Sequence, residues 1–257
     1  MQYKINNVPL ENYGFRPGWL AKKESSFALS GMFNLPERIG NTYYQWPTGI
    51  EPFISPGEIQ FGTRQLALSL VCKADSLTAF KGYLNAVYTA LSRPVILSTE
   101  LLGEFQVIAE KSSVKHYKNG WAAVILYLKE EHPTLANLVL PKASGAAVGI
   151  DGYSWEELGM VVSSISGRYN LGRYNEAGVR DFTTLPLKAT LKAPTLEQFK
   201  LIAQRLQVLF SRPGVRRLKY FDGTQEDVFA VAGFKIEKIR EYSGRIWGDF
   251  EISLIVC

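Results

Sequence analysis

Apolar and polar residues alternate along two stretches of the chain. Gln65-Leu66-Ala67-Leu68-Ser69-Leu70 and Thr184-Leu185-Pro186-Leu187-Lys188-Ala189 carry apolar side chains at every second position, the period of a strand with one buried face. Pro186 donates no backbone hydrogen bond, which predicts an edge or a bulge for the second strand. Helical spacing follows each run. Leu77, Phe80, Leu84, Val87 and Leu91 share one face, with Asp75 or Ser76 as N-cap. Leu196, Phe199, Ile202, Ala203, Leu206 and Phe210 do the same, with Thr195 as N-cap and Gln198 at the capping-box position. Both helices are expected to stop at Ser-Arg-Pro, because proline cannot continue a helix. Strand-like segments then lead to a closing alternation, Val124, Leu126, Leu128 in one case and Phe250, Ile252, Leu254 in the other.

The two halves match in three pieces, always in the same order. Ile5-Asn6-Asn7 through Glu11 to Gly14-Phe15 lines up with Ile150-Asp151-Gly152 through Glu156 to Gly159-Met160. From Leu66 to Pro94 the chain matches Leu185 to Pro213 without a gap (185 − 66 = 119), carrying Phe80 onto Phe199. Phe105-Gln106-Val107 pairs with Phe229-Ala230-Val231, and Asn119-Gly120 with Ser243-Gly244. The pattern predicts a duplication: a first domain over 1–131, a linker over 132–147 rich in Pro and small residues, and a second domain over 148–257. The opening pieces are offset by 145 and the helices by 119, so the first copy carries an insert within Arg16–Gln60. It holds Phe33, Leu35, Tyr43, Tyr44, Trp46, Ile50 and Phe53. The expectation is an arm outside the core that packs on a neighbouring subunit. The fold class predicted is mainly β with one flanking helix per repeat, as two small barrels or sandwiches.

Composition fits a globular chain. Of 257 residues, 46% are hydrophobic and 21% charged, and no apolar run reaches the roughly 20 residues of a membrane span. The N-terminal Met1-Gln2-Tyr3-Lys4 has no apolar leader region, so synthesis in the cytoplasm is expected. A formal charge of +5 reads as a solvated surface. Cys72 reads as a small buried hydrophobe and Cys257 as exposed. His116 and His132 have no ligand partners at useful spacing, which argues against zinc.

No catalytic constellation emerges. Glu130-Glu131, Glu156-Glu157 and Asp181 could supply carboxylate pairs, but Glu156 corresponds to Glu11 across the repeat, which points to a role in the fold. The expectation is no enzyme, no cofactor and no metal. Candidate interface residues are Tyr43, Tyr44 and Trp46 in the insert and Arg168, Tyr169, Arg173 and Tyr174 in an Arg-Tyr-rich loop. Arg93 and Arg212 of the two Ser-Arg-Pro steps join them, against the plainer reading of a cation at the negative end of a helix dipole. Aromatics such as Tyr43, Tyr44, Trp46, Trp155 and Trp247 leave open an alternative, a carbohydrate-binding module. Arg168, Arg173 and Arg180 leave open a weaker one, a nucleic-acid binder; no sequence-specific nucleic-acid partner is expected.

The opening Ile5-Asn6-Asn7 to Tyr13-Gly14-Phe15, the stretch Pro36-Glu37-Arg38-x-Gly40 and Phe61-x-x-Arg64 before an alternating strand resemble the N-terminal domain of phage distal tail proteins. A tandem pair of such domains is also similar to baseplate hub proteins of contractile tails. The resemblance implies tail-tube-like β-domains in a virion tail, forming a ring around a channel. It implies self-association as a hexamer or as a trimer with pseudo-six-fold symmetry. Tube, tape measure, hub or spike proteins would be its neighbours, with no membrane insertion.

Overall fold

A computed structural model describes residues 2–18, 26–40, 43–46, 49–52, 58–118, 120–135, 137–166 and 184–257. The protein is mainly β. Its chain divides into two compact units. Unit 1 comprises 1–32, 63–134 and 237–240; unit 2 comprises 33–62, 135–236 and 241–257.

Unit 1 begins with β1 (Tyr3–Ile5), β2 (Val8–Pro9), β3 (Arg16–Pro17) and β4 (Leu29–Ser30). The insert contributes β5 (Arg38–Ile39), β6 (Tyr43–Trp46), β7 (Gly49–Pro52) and β8 (Gln60–Phe61) to unit 2. Unit 1 resumes with β9 (Arg64–Lys73), α1 (Leu77–Ala90), β10 (Val95–Thr99), β11 (Gly103–Lys118) and β12 (Trp121–Glu130). The remainder holds β13 (Gly149–Ile150), β14 (Met160–Ile165), β15 (Thr184–Ala193), α2 (Leu196–Ser211), β16 (Arg216–Lys219), β17 (Gln225–Phe229), β18 (Phe234–Tyr242) and β19 (Arg245–Val256).

One sheet runs β2-β1-β10-β11-β12-β9-β3, with β4 also on β9. The other runs β13-β16-β17-β19-β15-β14, with β18 also on β19. From β1 and β13 onward, the two orders visit their strands in the same sequence relative to the helix. The ladders agree residue by residue: Leu68 faces Leu126, and Leu187 faces Ile252. Alternation does what the pattern requires, burying Leu66, Leu68 and Leu70 in one unit and Leu185, Leu187 and Leu191 in the other. The helices start where expected. Ser76 Oγ accepts from Ala79 N at 3.1 Å, and Thr195 Oγ1 from Gln198 N at 3.2 Å. Phe80 and Phe199 are buried.

Three details differ from the sequence expectation. Pro186 is not on an edge, since β15 lies between β19 and β14. Its carbonyl accepts from Ser166 N at 3.1 Å, just past the last β14–β15 pair among the described residues, so its missing N–H falls at the margin of that described ladder. The third repeat piece is shifted. Val107 faces Val95 and Val228 faces Arg216, which sets Phe105–Val107 against Glu226–Val228, three residues before the sequence match. Cys257 is half-buried, its N–H donating to Asp227 O at 2.9 Å; burial pushes its thiol up to about 11.

The insert is not a free arm. β17 and β18 are interrupted at Ala230–Gly233 where β11, in unit 1, runs on through its bulges. Insert residues fill that break, through backbone and through the Asn34 side chain. Leu35 and Phe234 exchange hydrogen bonds of 3.0 Å, Arg38 N donates to Val231 O at 2.9 Å, and Ile236 N donates to Asn34 Oδ1 at 2.8 Å. Gly233 has φ +69, and a Cβ there would collide with the Leu35 and Pro36 carbonyls. Only glycine permits so close an approach. Phe33, 5% exposed, sets its ring 5.8 Å from that of Phe199. The stretch before β13 is also tied down, because Tyr153 donates to Pro141 O at 2.6 Å and Ser144 to Glu157 at 2.8 Å.

Candidate interaction surface

The end of α2 explains why the insert carries an arginine. A helix leaves its last carbonyls unpaired. In unit 1, the Leu91 carbonyl at the end of α1 accepts from Ala109 N at 2.9 Å. In unit 2 the corresponding Phe210 carbonyl accepts instead from Arg38 Nη2 at 3.1 Å, and Arg212 O accepts from the same nitrogen at 2.6 Å. The guanidinium is 6% exposed and lies 4.8 Å from the centroid of the Phe229 ring. Burial, and after it the charge of Arg216, brings its pKa down to about 10. A cation does sit at the negative end of the α2 dipole, but it is Arg38, supplied from 172 residues away in sequence. Arg212 and Arg93 point their side chains to solvent.

The same segment continues into the β6–β7 hairpin. Tyr43 meets Phe229 edge-on at 6.2 Å and is half-buried, so it helps anchor the hairpin. Tyr44 and Trp46 are 52% and 50% exposed, with ring centroids 6.0 Å apart. Trp46 Nε1 donates to Glu51 at 2.8 Å, which fixes the indole plane. Two aromatic rings held outward by a hairpin are suited to a flat partner surface.

Arg168, Tyr169, Arg173 and Tyr174, with Arg180 and Asp181, lie outside the described residues. Trp155 and Trp247 are half-buried, and Trp247 takes Lys192 Nζ at 4.8 Å over its ring.

Sequence reasoning missed the Tyr220–Thr224 turn, which presents Phe221 at 91% exposure. Asp222 Oδ1 accepts from Thr224 N and Oγ1 at 3.0 and 2.7 Å, and Tyr220 N donates to Thr224 O at 2.9 Å. Phe-Asp-Gly-Thr is turn chemistry readable in the sequence; that the aromatic points outward is not.

Among the described residues, no group of three or more His, Cys, Asp or Glu side chains is placed to hold a metal ion. No helix among them is long and apolar enough to cross a membrane. Glu130 does not form a carboxylate pair with Glu131; it is buried against Arg64, whose Nε and Nη2 both approach it at 2.7 Å. Burial raises the pKa of Glu130 and Arg64 opposes the rise. Glu157 accepts from Ser154 N at 2.7 Å and its pKa is lowered by that bond first, a turn-capping role.

No family model matches the sequence, and the curated proteins include no match. Among known structures, the chain matches the crystal structure of the SPP1 Dit (gp 19.1) protein, described as a paradigm of the hub adsorption apparatus in Gram-positive infecting phages. The match covers 98% of this chain and 97% of that one, at 9% identity and a TM-score of 0.32. A likeness at that level carries no argument about this chain.

Proposed function

We propose that the protein is a structural component of a phage or prophage tail, a distal tail or baseplate hub subunit that builds a ring from two copies of one domain. The observation that carries the reading is the pair of sheets with the same strand order and the same ladder register around equivalent helices. Its second support is the distal-tail resemblance of Ile5–Phe15, Pro36–Gly40 and Phe61–Arg64. In this reading the domains are 1–131 and 148–257, the latter completed by the insert, and the protein is not an enzyme. Identical subunits with complementary surfaces close into rings when the rotation closes. Six copies, or three copies presenting six domains, surround a channel and contact tube, tape measure, hub or spike proteins.

Light scattering on the size-exclusion peak tests it: a trimer or hexamer, seen as a ring in negative-stain images, is expected. A monomer at every concentration, with no ring in the presence of tail partners, overturns it. Exposed Tyr44 and Trp46 favour a second reading, carbohydrate binding. Glycan-dependent thermal stabilisation lost in Trp46→Ala would support it.

A further inference from the structure

The two sheets differ most on the faces turned away from their helices. Pairing across β3, β9, β12 and β11 fixes which residues share that face in unit 1. Lys118, Trp121 and Lys73 form one row, and Lys111 and Tyr127 belong to another. Arg16 joins through its pairing with Val71. Arg16, Lys73, Lys111 and Lys118 are all exposed and have no ion pair among the described residues. Lys111 Nζ lies 5.0 Å from the Tyr127 ring. Trp121 is 53% exposed between Lys118 and Lys73. Neither the row of Lys118, Trp121 and Lys73 nor the row of Arg16 carries a carboxylate; the β11 carboxylate Glu110 sits at the bulge beside Lys111, where it accepts from Gln65 Nε2 at 3.4 Å.

Unit 2 is an internal control. There Lys192 faces Trp247 as Lys73 faces Trp121, and Lys188 faces Glu251 as Ser69 faces Ile125. Asp249 and Glu251 stand where unit 1 has Ala123 and Ile125, and Glu251 pairs with Lys188 at 3.3 Å. On the second face Lys188 therefore has a carboxylate partner. The first keeps the tryptophan and its lysine but has Ala123 and Ile125 in place of those two carboxylates.

We propose that this face of unit 1 binds single-stranded nucleic acid without sequence preference. The Trp121 ring offers one stacking platform, and the ammonium groups of Lys118 and Lys73 on either side take the phosphates that flank the stacked base. Such sites combine a cationic track with aromatic faces on which bases stack. Lysine is depleted at protein–protein interfaces, so Lys73 and Lys118 on either side of an exposed tryptophan, with no ion pair among the described residues, favour a polyanion carrying π-faces over an acidic protein surface. This inference stands independently of ring assembly.

The test is fluorescence anisotropy of a labelled oligothymidylate, about 20 nucleotides long, against the full chain at about 50 mM salt. Expected is binding that quenches tryptophan emission and weakens as salt rises. Trp121→Ala should weaken it roughly tenfold. The double change Lys73→Gln with Lys118→Gln should lower the log–log salt slope by about 1.4, near 0.7 per phosphate contact. The double change Lys188→Gln with Lys192→Gln on the second face should leave binding unchanged, and circular dichroism confirms that every variant is folded. Absence of binding at low salt overturns the proposal. So does polyglutamate of matched charge competing as well as the oligonucleotide while Trp121→Ala has no effect; that result assigns the face to an acidic protein.

Discussion

The ring of Tyr83 rests on Gly14. A Cβ at position 14 would lie 2.6 Å from Tyr83 Cγ, and φ there is +79°. The arrangement recurs in unit 2, where Ile202 of α2 covers Gly159 at φ +66°. Gly14 N donates to Glu11 O and Gly159 N to Glu156 O, at 2.9 and 2.8 Å. Each glycine therefore turns the chain and lets the helix press onto the turn. Gly14→Ala meets both obstacles, left-handed strain and collision, and is expected to cost about 2–4 kcal/mol. Gly223→Ala has the same positive φ but open space around it, and should cost about 1 kcal/mol. Urea unfolding of the two variants separates the contributions; equal losses would show that the Tyr83 contact is soft.

Arg38 carries a second prediction. Arg38→Met keeps much of the apolar stem but strips Phe210 O and Arg212 O of their donor. The expected loss is about 2–4 kcal/mol, confined to unit 2, from unsatisfied buried carbonyls and a lost helix-end cation. Hydrogen exchange should accelerate in the last turn of α2 and not in α1. Uniform acceleration across both helices would contradict the assignment.

Deleting residues 33–53 is expected to unfold unit 2 while leaving β9–β12 protected from exchange. The segment supplies Phe33 against Phe199, the Leu35 pairing and the Arg38 cap. A deletion protein that melts with both units intact would return the insert to the status of an external arm.

Phe80 and Phe199 are 4% and 0% exposed. Truncating either to Ala should cost roughly 3–5 kcal/mol. Phe199→Ala is the more damaging of the two, because the buried Phe33 and the backbone at Gly248 both close on its ring, whereas the aromatic neighbour of Phe80 is the partly exposed Tyr117. Thermal denaturation of both variants ranks them.

Tyr3 gives a pH dependence. It is 2% exposed, its hydroxyl lies near the Ala28 and Leu29 backbone without a well-formed hydrogen bond, and burial raises its pKa from 10.0 to about 12. The folded protein holds this proton where the unfolded chain has lost it. The contribution is intact below pH 10 and is lost as pH rises toward 12, at about 1.4 kcal/mol per unit. Tyr3→Phe should be neutral or stabilising at pH 7 and should flatten the fall above pH 10. An unchanged alkaline slope would show that another group controls it.

Much of this architecture was legible from spacing alone. Leu66 to Leu70 and Leu185 to Leu191 alternate because one face of each strand is buried, and Ser76 and Thr195 announce their helices because a hydroxyl there satisfies an orphan N–H. Arg38 was not legible. Its partners are backbone carbonyls of Phe210 and Arg212, which have no signature in side-chain identity, and they lie far along the chain. The register of β17 was misjudged for a related reason. Phe229 matches Phe105 as a letter, but the ladder with β16 is set by backbone pairing that continues from β13. For Tyr44 and Trp46 the residue types suggested a contact surface; only the hairpin and the Glu51 bond show which rings face outward.

The pairing of Leu35 with Phe234 also sets a timetable for biogenesis. The two residues are 199 apart (234 − 35). At about 5–20 residues per second, a ribosome needs roughly 10–40 s to travel between them. Through that interval β9 to β12 can pair with one another, while Phe33 and Leu35 wait without the strands they complete. The nascent chain therefore carries an apolar segment without its partners while the strands that follow it are already paired. Such a segment invites chaperone protection, and any stall between Glu130 and Phe234 leaves a half-finished chain whose sticky element is already outside the exit tunnel.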